Sequence, residues 1–210
     1  FGDSLYFFIP TILTWALVKI IKSKNQIINT ISEISLFIFL NILLSGIVTQ
    51  ILKHAIGRPR PVLFNGFEQK SLSIISFDSK WHSFPSGHTA TIFAFIFCMV
   101  LLFPKIKNIL ITVAIIIAST RVIVGAHFIS DIFGGALVAY LSSIFISKNL
   151  ASKKILFTTE GEKLIPNSNV NIISSYIAKV YKNIFSLYLN FNFYFKTLTI
   201  TLLLSIVFFL

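Results

Sequence analysis

Apolar and polar residues follow one another along this chain in long blocks. Five apolar runs stand out, Leu5–Ile21, Ile34–Leu52, Thr89–Phe103, Ile109–Val124 and Ile132–Ser147, and a sixth, Thr197–Leu210, comes last. At ~1.5 Å of helical rise per residue the shorter runs reach only ~21–25 Å, so polar flanks must complete the crossing of a hydrocarbon layer ~30 Å thick. After the fifth run the pattern changes. Ile172, Ile173, Tyr176, Ile177, Val180, Tyr181, Ile184 and Phe185 recur at helical spacing, while Lys179, Lys182 and Asn183 fall elsewhere on the wheel. This predicts an amphipathic helix in the inner membrane interface, with a helix packed against the bundle as the alternative. Before it, TTEGEKLIPNSNV reads as a polar linker broken by Gly161 and Pro166.

The pattern predicts an all-α fold, a polytopic membrane bundle of about six transmembrane helices plus the interfacial helix. Residues 1–150 form the expected core, 151–196 a cytoplasmic linker with the interfacial helix, and 197–210 an additional transmembrane helix packing on the core.

Composition agrees: 55% of the 210 residues are hydrophobic, 12% are charged and the mean hydropathy is +0.86, which argues against a soluble domain. The chain opens on Phe and closes inside an apolar run, as expected of a piece of a longer product. Leu5–Ile21 lacks the basic flank and small-residue cleavage site of a secretory signal. The single cysteine, Cys98, lies in an apolar run and allows no internal disulfide.

A net charge of +11 could suggest nucleic acid, but its distribution does not. If Lys22 and Lys24 are cytoplasmic, alternation of the spans puts Lys105, Lys107, Lys148, Lys153, Lys154, Lys163, Lys179, Lys182 and Lys196 on the same side, the positive-inside arrangement. All four histidines, His54, His82, His88 and His127, then gather on the outer face with Lys53, Arg58, Arg60, Lys70, Lys80 and Arg121. The same counting puts Leu210 on the face of Phe1, so the last helix is expected to pack beside the first.

Three clusters lie at span boundaries on that outer face: KHAIGRPRP from Lys53, Pro85-Ser86-Gly87-His88, and RVIVGAHFISD from Arg121. The chain holds 15 Lys and only three Arg, and all three arginines fall in these clusters. A guanidinium is a planar fork that can bind phosphate through two hydrogen bonds, whereas lysine is a point charge. Arg60, Arg121 and Lys53 would place three cations round one anion. Snorkelling or headgroup contact is the simpler account of Lys70 and Lys80, and Arg58 fits either role.

His127 and Asp131 are four apart and share a face if helical, so the carboxylate can fix one ring nitrogen and leave the other to attack. A capping Asp beside an incidental histidine is the plainer alternative. Ser86 reads as a helix cap whose first turn offers backbone N–H groups to an anion, with Gly87 permitting close approach and His88 positioned to protonate a leaving oxygen. Asp131 is the one carboxylate inside a cluster, so the pattern calls for no metal and no cofactor. The chemistry implied is phosphoryl transfer through a phosphohistidine.

Lys53-x6-Arg60-Pro61, Pro85-Ser86-Gly87-His88 and Arg121-x5-His127-x3-Asp131 together resemble the three-part signature of the type 2 phosphatidic acid phosphatase superfamily, at ten positions in order. The resemblance implies a six-helix membrane phosphatase in which His127 is nucleophile, Asp131 its orienting partner and His88 the acid. It also implies Lys53, Arg60, Ser86, Gly87 and Arg121 as phosphate ligands. Thr120 stands where the family usually has Ser. A further span usually precedes a segment like FGDSLYFF, and Thr197–Leu210 could take its place. Membrane members act on lipid phosphates, so the implied partners are a lipid phosphate and the bilayer, with no nucleic acid. The expected location is the bacterial inner (plasma) membrane, multi-pass, with the site on the periplasmic or outer face.

Among substrates the chain looks most similar to lipid A 1-phosphatases, with phosphatidylglycerol phosphate or undecaprenyl diphosphate next. A lipid phosphotransferase and a transporter with a basic outer vestibule are the competing functions. The latter predicts ionisable residues in mid-span, where Asn41, Ser45 and Gln50 are the nearest polar residues. The loop from Val62 to Phe84 is long enough for a lid, with Phe64, Phe67, Phe77 and Trp81 as interfacial anchors or as the lining of a lipid path.

Overall fold

The computed structural model describes residues 5–63, 72, 73, 75, 77–161 and 163–209. Six helices account for most of it: α1 (Leu5–Ile21), α2 (Gln26–Ile56), α3 (Gly87–Leu102), α4 (Lys107–Ile123), α5 (Ile129–Ser152) and α6 (Ser168–Phe209). Residues 1–171 form one compact unit and residues 172–210 a second.

The helices start and stop where the backbone finds caps. The Asn25 side chain accepts from Ile27 N at 2.9 Å, which starts α2 eight residues before its apolar run. Gly57 ends it in the left-handed conformation, φ 55°, with its N–H on the Lys53 carbonyl. Helix α2 therefore carries Lys53 in its last turn rather than in a loop. Three stretches, Gln26–Leu63, Pro104–Ile123 and Ile129–Ser152, are long and apolar enough to cross a membrane, while α1 and α3 are apolar but shorter, at 17 and 16 residues.

Helices α2, α3 and α5 pack on one another, with α1 against α2 and α4 against α3. Their contact faces are lined by small and polar residues spaced four apart: Asn41, Ser45, Thr49 and Lys53 on α2, Ala90, Ala94 and Cys98 on α3, and Asp131, Gly135 and Ala139 on α5, all buried. Large apolar side chains point the other way. Ile47 and Ile51 of α2, Ile115 and Ile116 of α4, and Phe133, Leu137 and Phe145 of α5 are all at least half exposed. Such a surface suits a bilayer, where close backbone approach and dispersion hold helices together in place of the hydrophobic effect. Asn41 joins all three core helices, its amide nitrogen donating to Ala94 O and Ser143 Oγ at 2.7 Å and lying 3.0 Å from Cys98 Sγ. Of the three mid-span polar candidates for a transport path, this residue and Ser45 are buried in helix packing, while Gln50 is exposed.

One segment departs from the all-helical expectation. Phe157–Glu160 (β1) and Lys163–Pro166 (β2) form an antiparallel hairpin with Phe157 opposite Pro166 and Glu160 opposite Lys163. The pattern looks like a linker because its exposed residues are polar. Leu156 and Phe157, just before that polar stretch, are almost fully buried, and the Phe157 ring meets Phe37 of α2 edge-on at 5.3 Å. Gly161 supplies the φ of 60° at the turn. The second departure is α6, a single helix of 42 residues that runs without a break through both the predicted amphipathic segment and the sixth run as far as Phe209. Phe1 and Leu210, the ends expected to lie on one face, fall outside the described residues, as do Phe64, Phe67 and Lys70.

The amide of Asn41 yields a prediction. Asn41→Ala should lower stability by about 1–2 kcal/mol, the range for interhelical hydrogen bonds in bundles of this kind. Unfolding of the purified chain in mixed detergent and SDS micelles would measure it.

Candidate active site

The three sequence clusters meet at the C-terminal end of α2. Beyond the Gly57 cap the chain runs through Arg58 and Arg60 into one 3-10 turn, Pro61–Leu63, and returns through a second, Ser79–Trp81. The two passes are strapped together. Ser83 N donates to Arg58 O at 3.0 Å, Arg60 N to Lys80 O at 3.0 Å, and Arg60 Nε to Ser79 O at 3.1 Å. Lys53 Nζ donates to His82 O at 2.7 Å. The rings of His54 and His82 meet at a tilt of 54° with centroids 4.4 Å apart, with Phe77 against His54 at 5.5 Å. Phe77 is 82% exposed, whereas Trp81 is half-buried.

Ser86 caps α3 as expected, its hydroxyl oxygen accepting from Thr89 N at 3.4 Å and from Thr89 Oγ1 at 3.0 Å. Its own N–H is given to Asp131 O at 3.0 Å, so the backbone donors offered to an anion start with Gly87. This close seat of α3 on α5 depends on Gly134 and Gly135. A Cβ at Gly135 would stand 2.6 Å from Ser86 O, and one at Gly134 would stand 2.5 Å from the Phe84 ring. Gly87 differs: its Cβ would only touch Lys53 Cε, at 3.7 Å.

Arg121 lies in the last turn of α4, and the chain then wraps back over it. Gly125 takes φ 68°, and Ala126 N and His127 N both donate to Arg121 O, at 3.1 and 3.2 Å. That turn delivers His127, 3% exposed, beside the first turn of α5. His127 Nδ1 lies 3.4 Å from Asp131 Oδ2, long for a hydrogen bond, and so has no close partner. Catalytic contacts of this kind commonly tighten only when substrate binds.

Asp131 is fully buried and is the most heavily bonded group of the site. Arg58 Nη1 donates to Oδ1 at 2.7 Å, while Ser83 Oγ at 2.5 Å and Phe128 N at 2.9 Å donate to Oδ2. Arg58 also donates to Ser130 Oγ at 2.7 Å and lies 4.3 Å from the centroid of the Phe128 ring. The carboxylate therefore both caps α5 and carries the arginine. Sequence spacing left Arg58 undecided between ligand and headgroup contact, and the structure gives it to Asp131. Arginine usage had singled it out, but nothing in the sequence pointed to Ser83.

Lys53, Arg60, Gly87, His88, Arg121 and His127 line one cavity of about 360 Å³. Ser86 and Asp131, the other two predicted site residues, stand behind its wall and are fully buried. The Nε of Arg121 is buried and finds no partner within the protein. Three cations, a helix N-terminus and two histidines thus converge on a space suited to a polyanion. Among the described residues no group of three or more His, Cys, Asp or Glu side chains is placed to hold a metal ion.

Residues 35–154 match the PAP2 superfamily. The chain is similar to the lipid A 1-phosphatase of Rhizobium johnstonii, with 35% identity over 75% of this chain and 67% of that protein. It is similar also to the lipid A 1-phosphatase of Rhizobium etli, with 37% identity over 64% of this chain and 61% of that protein. No solved structure gives a significant match.

Two substitutions test how the site is held. Gly135→Ala should force α3 and α5 apart at Ser86 and lower phosphate release at least tenfold, with a lowered melting temperature. Arg58→Ala strips a buried carboxylate of its cation, a loss of about 3–5 kcal/mol for buried pairs and less here because the arginine is partly exposed. Thermal unfolding in detergent, followed alongside turnover, reads both.

Proposed function

This chain belongs to the PAP2 superfamily, and we propose that it is a membrane lipid phosphatase that works through a phosphohistidine at the cavity between Lys53 and His127. The observation that carries this reading is the convergence of Lys53, Arg60 and Arg121 on a space that also holds His88 and His127. Five side chains that attract or transfer to a phosphate share one small cavity, although they lie 74 residues apart along the chain at the extremes, from Lys53 to His127.

In the proposed cycle the phosphate binds among the three cations and the first-turn N–H of α3. Asp131 holds the Nδ1 proton of His127, so the Nε2 lone pair attacks phosphorus. The bond from phosphorus to the lipid oxygen breaks, and His88 gives that oxygen a proton. Water then attacks the phosphohistidine, His88 takes its proton, the N–P bond breaks, and inorganic phosphate leaves with His127 restored. Arg58, Ser83 and Phe128 N share the charge of Asp131, which keeps it ionised and fixed.

The names of the Rhizobium relatives favour the 1-phosphate of lipid A as substrate, ahead of phosphatidylglycerol phosphate or undecaprenyl diphosphate. The outward-facing apolar side chains and the relatives together support a multi-pass protein of the bacterial inner membrane, with the site at its periplasmic face. The cavity's position near the end of α2 suits a headgroup whose chains stay in the bilayer. Transfer to a second lipid in place of water would use the same first half-reaction.

Phosphate release from lipid phosphates in detergent should survive EDTA and be blocked by vanadate. His127→Ala should abolish it, and His88→Ala should slow it by ~10²–10⁴, the usual worth of a general acid. Full activity of His127→Ala would overturn the mechanism. Labelled phosphate appearing in a second lipid would identify a transferase.

A further inference from the structure

The cavity is longer than a phosphate requires, and its two halves differ in chemistry. Its lining along α2 runs from Lys53 back to Gly46, seven residues or about 10 Å of helix. Pockets of about 300 Å³ and above accommodate small organic molecules rather than a lone ion. The charge sits wholly at the Lys53 end. Beyond it the lining is Thr49, Gln50 and Gly46 of α2 and Thr91 of α3, neutral groups that can both donate and accept hydrogen bonds, plus a glycine.

Gly46 has no packing reason to be glycine. No atom stands within 4 Å of a Cβ built there, in contrast to Gly134 and Gly135, where a Cβ would collide with α3 or the segment leading into it. A mid-helix glycine costs about 1 kcal/mol against alanine. Its use here is explained by what the cavity must hold. Thr49 gives a second, independent sign. It is 2% exposed and its hydroxyl finds no partner, whereas Thr30, Ser35 and Ser143 each donate to the carbonyl four residues back; the Ser45 hydroxyl is unpartnered too, but of the two only Thr49 lines the cavity.

We propose that Gly46, Thr49, Gln50 and Thr91 form a subsite for the hydroxyl-bearing group to which the phosphate is esterified, a sugar rather than an acylated glycerol. This rests on the phosphatase reading above. Sugar hydroxyls donate and accept, as the threonines and the glutamine amide do, while the ester carbonyls next to a glycerol phosphate can only accept. On α3 the lining passes from Gly87 and His88 in the first turn to Thr91 in the next, so a sugar at Thr91 would join its phosphate near His88. Gly46 leaves room for the ring, and the exposed Leu43 and Ile47 continue the same helix toward the acyl chains.

The test uses the full chain in detergent with two substrates, lipid A carrying its 1-phosphate and a diacyl phosphatidic acid, and with vanadate as a probe of the charged half alone. In Gly46→Val and Thr49→Val the ratio of kcat/KM for the glycolipid over phosphatidic acid should fall at least tenfold, and Thr49→Ser should restore it. Vanadate should inhibit all variants at the concentration that inhibits the parent chain. An unchanged ratio, or a loss of vanadate inhibition that parallels the loss of turnover, overturns the subsite. If the parent chain releases phosphate from neither lipid, the phosphatase reading falls, and the subsite falls with it.

Discussion

A buried carboxylate must be neutralised and hydrogen-bonded or it will not stay ionised, and the way Asp131 meets that demand organises this end of the molecule. Each donor comes from a different piece of chain: Arg58 from the segment after α2, Ser83 from the returning loop, and the Phe128 amide from the turn after α4. Its backbone oxygen takes the N–H of Ser86 as well. One residue at the start of α5 thus fixes the seat of α3, the course of the loop and the neighbourhood of His127. The three donors, Arg58, Ser83 and Phe128, lie at least 25 residues apart in sequence.

The rest of the bundle supplies rigidity of an ordinary membrane kind. Small residues at four-residue spacing let α2, α3 and α5 approach closely, and the bulky side chains face outward. The cations at the top of the bundle can then be crowded together, because the helices that carry them are held apart from the site by packing and not by the charges themselves. Lys53 illustrates this. It is nearly buried, at 7% exposed, yet its ammonium reaches the His82 carbonyl at the rim.

Much of this was legible in the sequence, for reasons that can be named. Apolar blocks gave α1 residue for residue and α3 and α4 to within two residues, whereas α2 begins eight residues before its run because Asn25 caps it there. Lys53, Arg60, His88, Arg121 and His127 could be grouped because phosphate chemistry demands those side chains and arginine is absent outside their clusters. The hairpin was hidden because Phe157, the residue that anchors it, is one aromatic among 23 phenylalanines. Ser83 was hidden because a serine in a loop carries no sign of the carboxylate it will meet. The Gly134-Gly135 pair could have been read as a close helix crossing, but the partner across it could not. Span polarity was ambiguous for the same reason: Asn41 looks alike in sequence whether it lines a channel or joins three helices.

Asn41 also bears on the shape of the cavity. Its amide has two hydrogens and three acceptors in reach, drawn from α3 and α5, so α2 cannot slide along its neighbours without losing all of them at once. A slip of one helical turn would bring Thr49 to the level of Lys53 and pull the ammonium out of reach of the loop. The residue buried in the middle of the bundle is therefore a vernier stop. It sets the height of Lys53 against Gly87 and His127, and with it the depth of the cavity that they line.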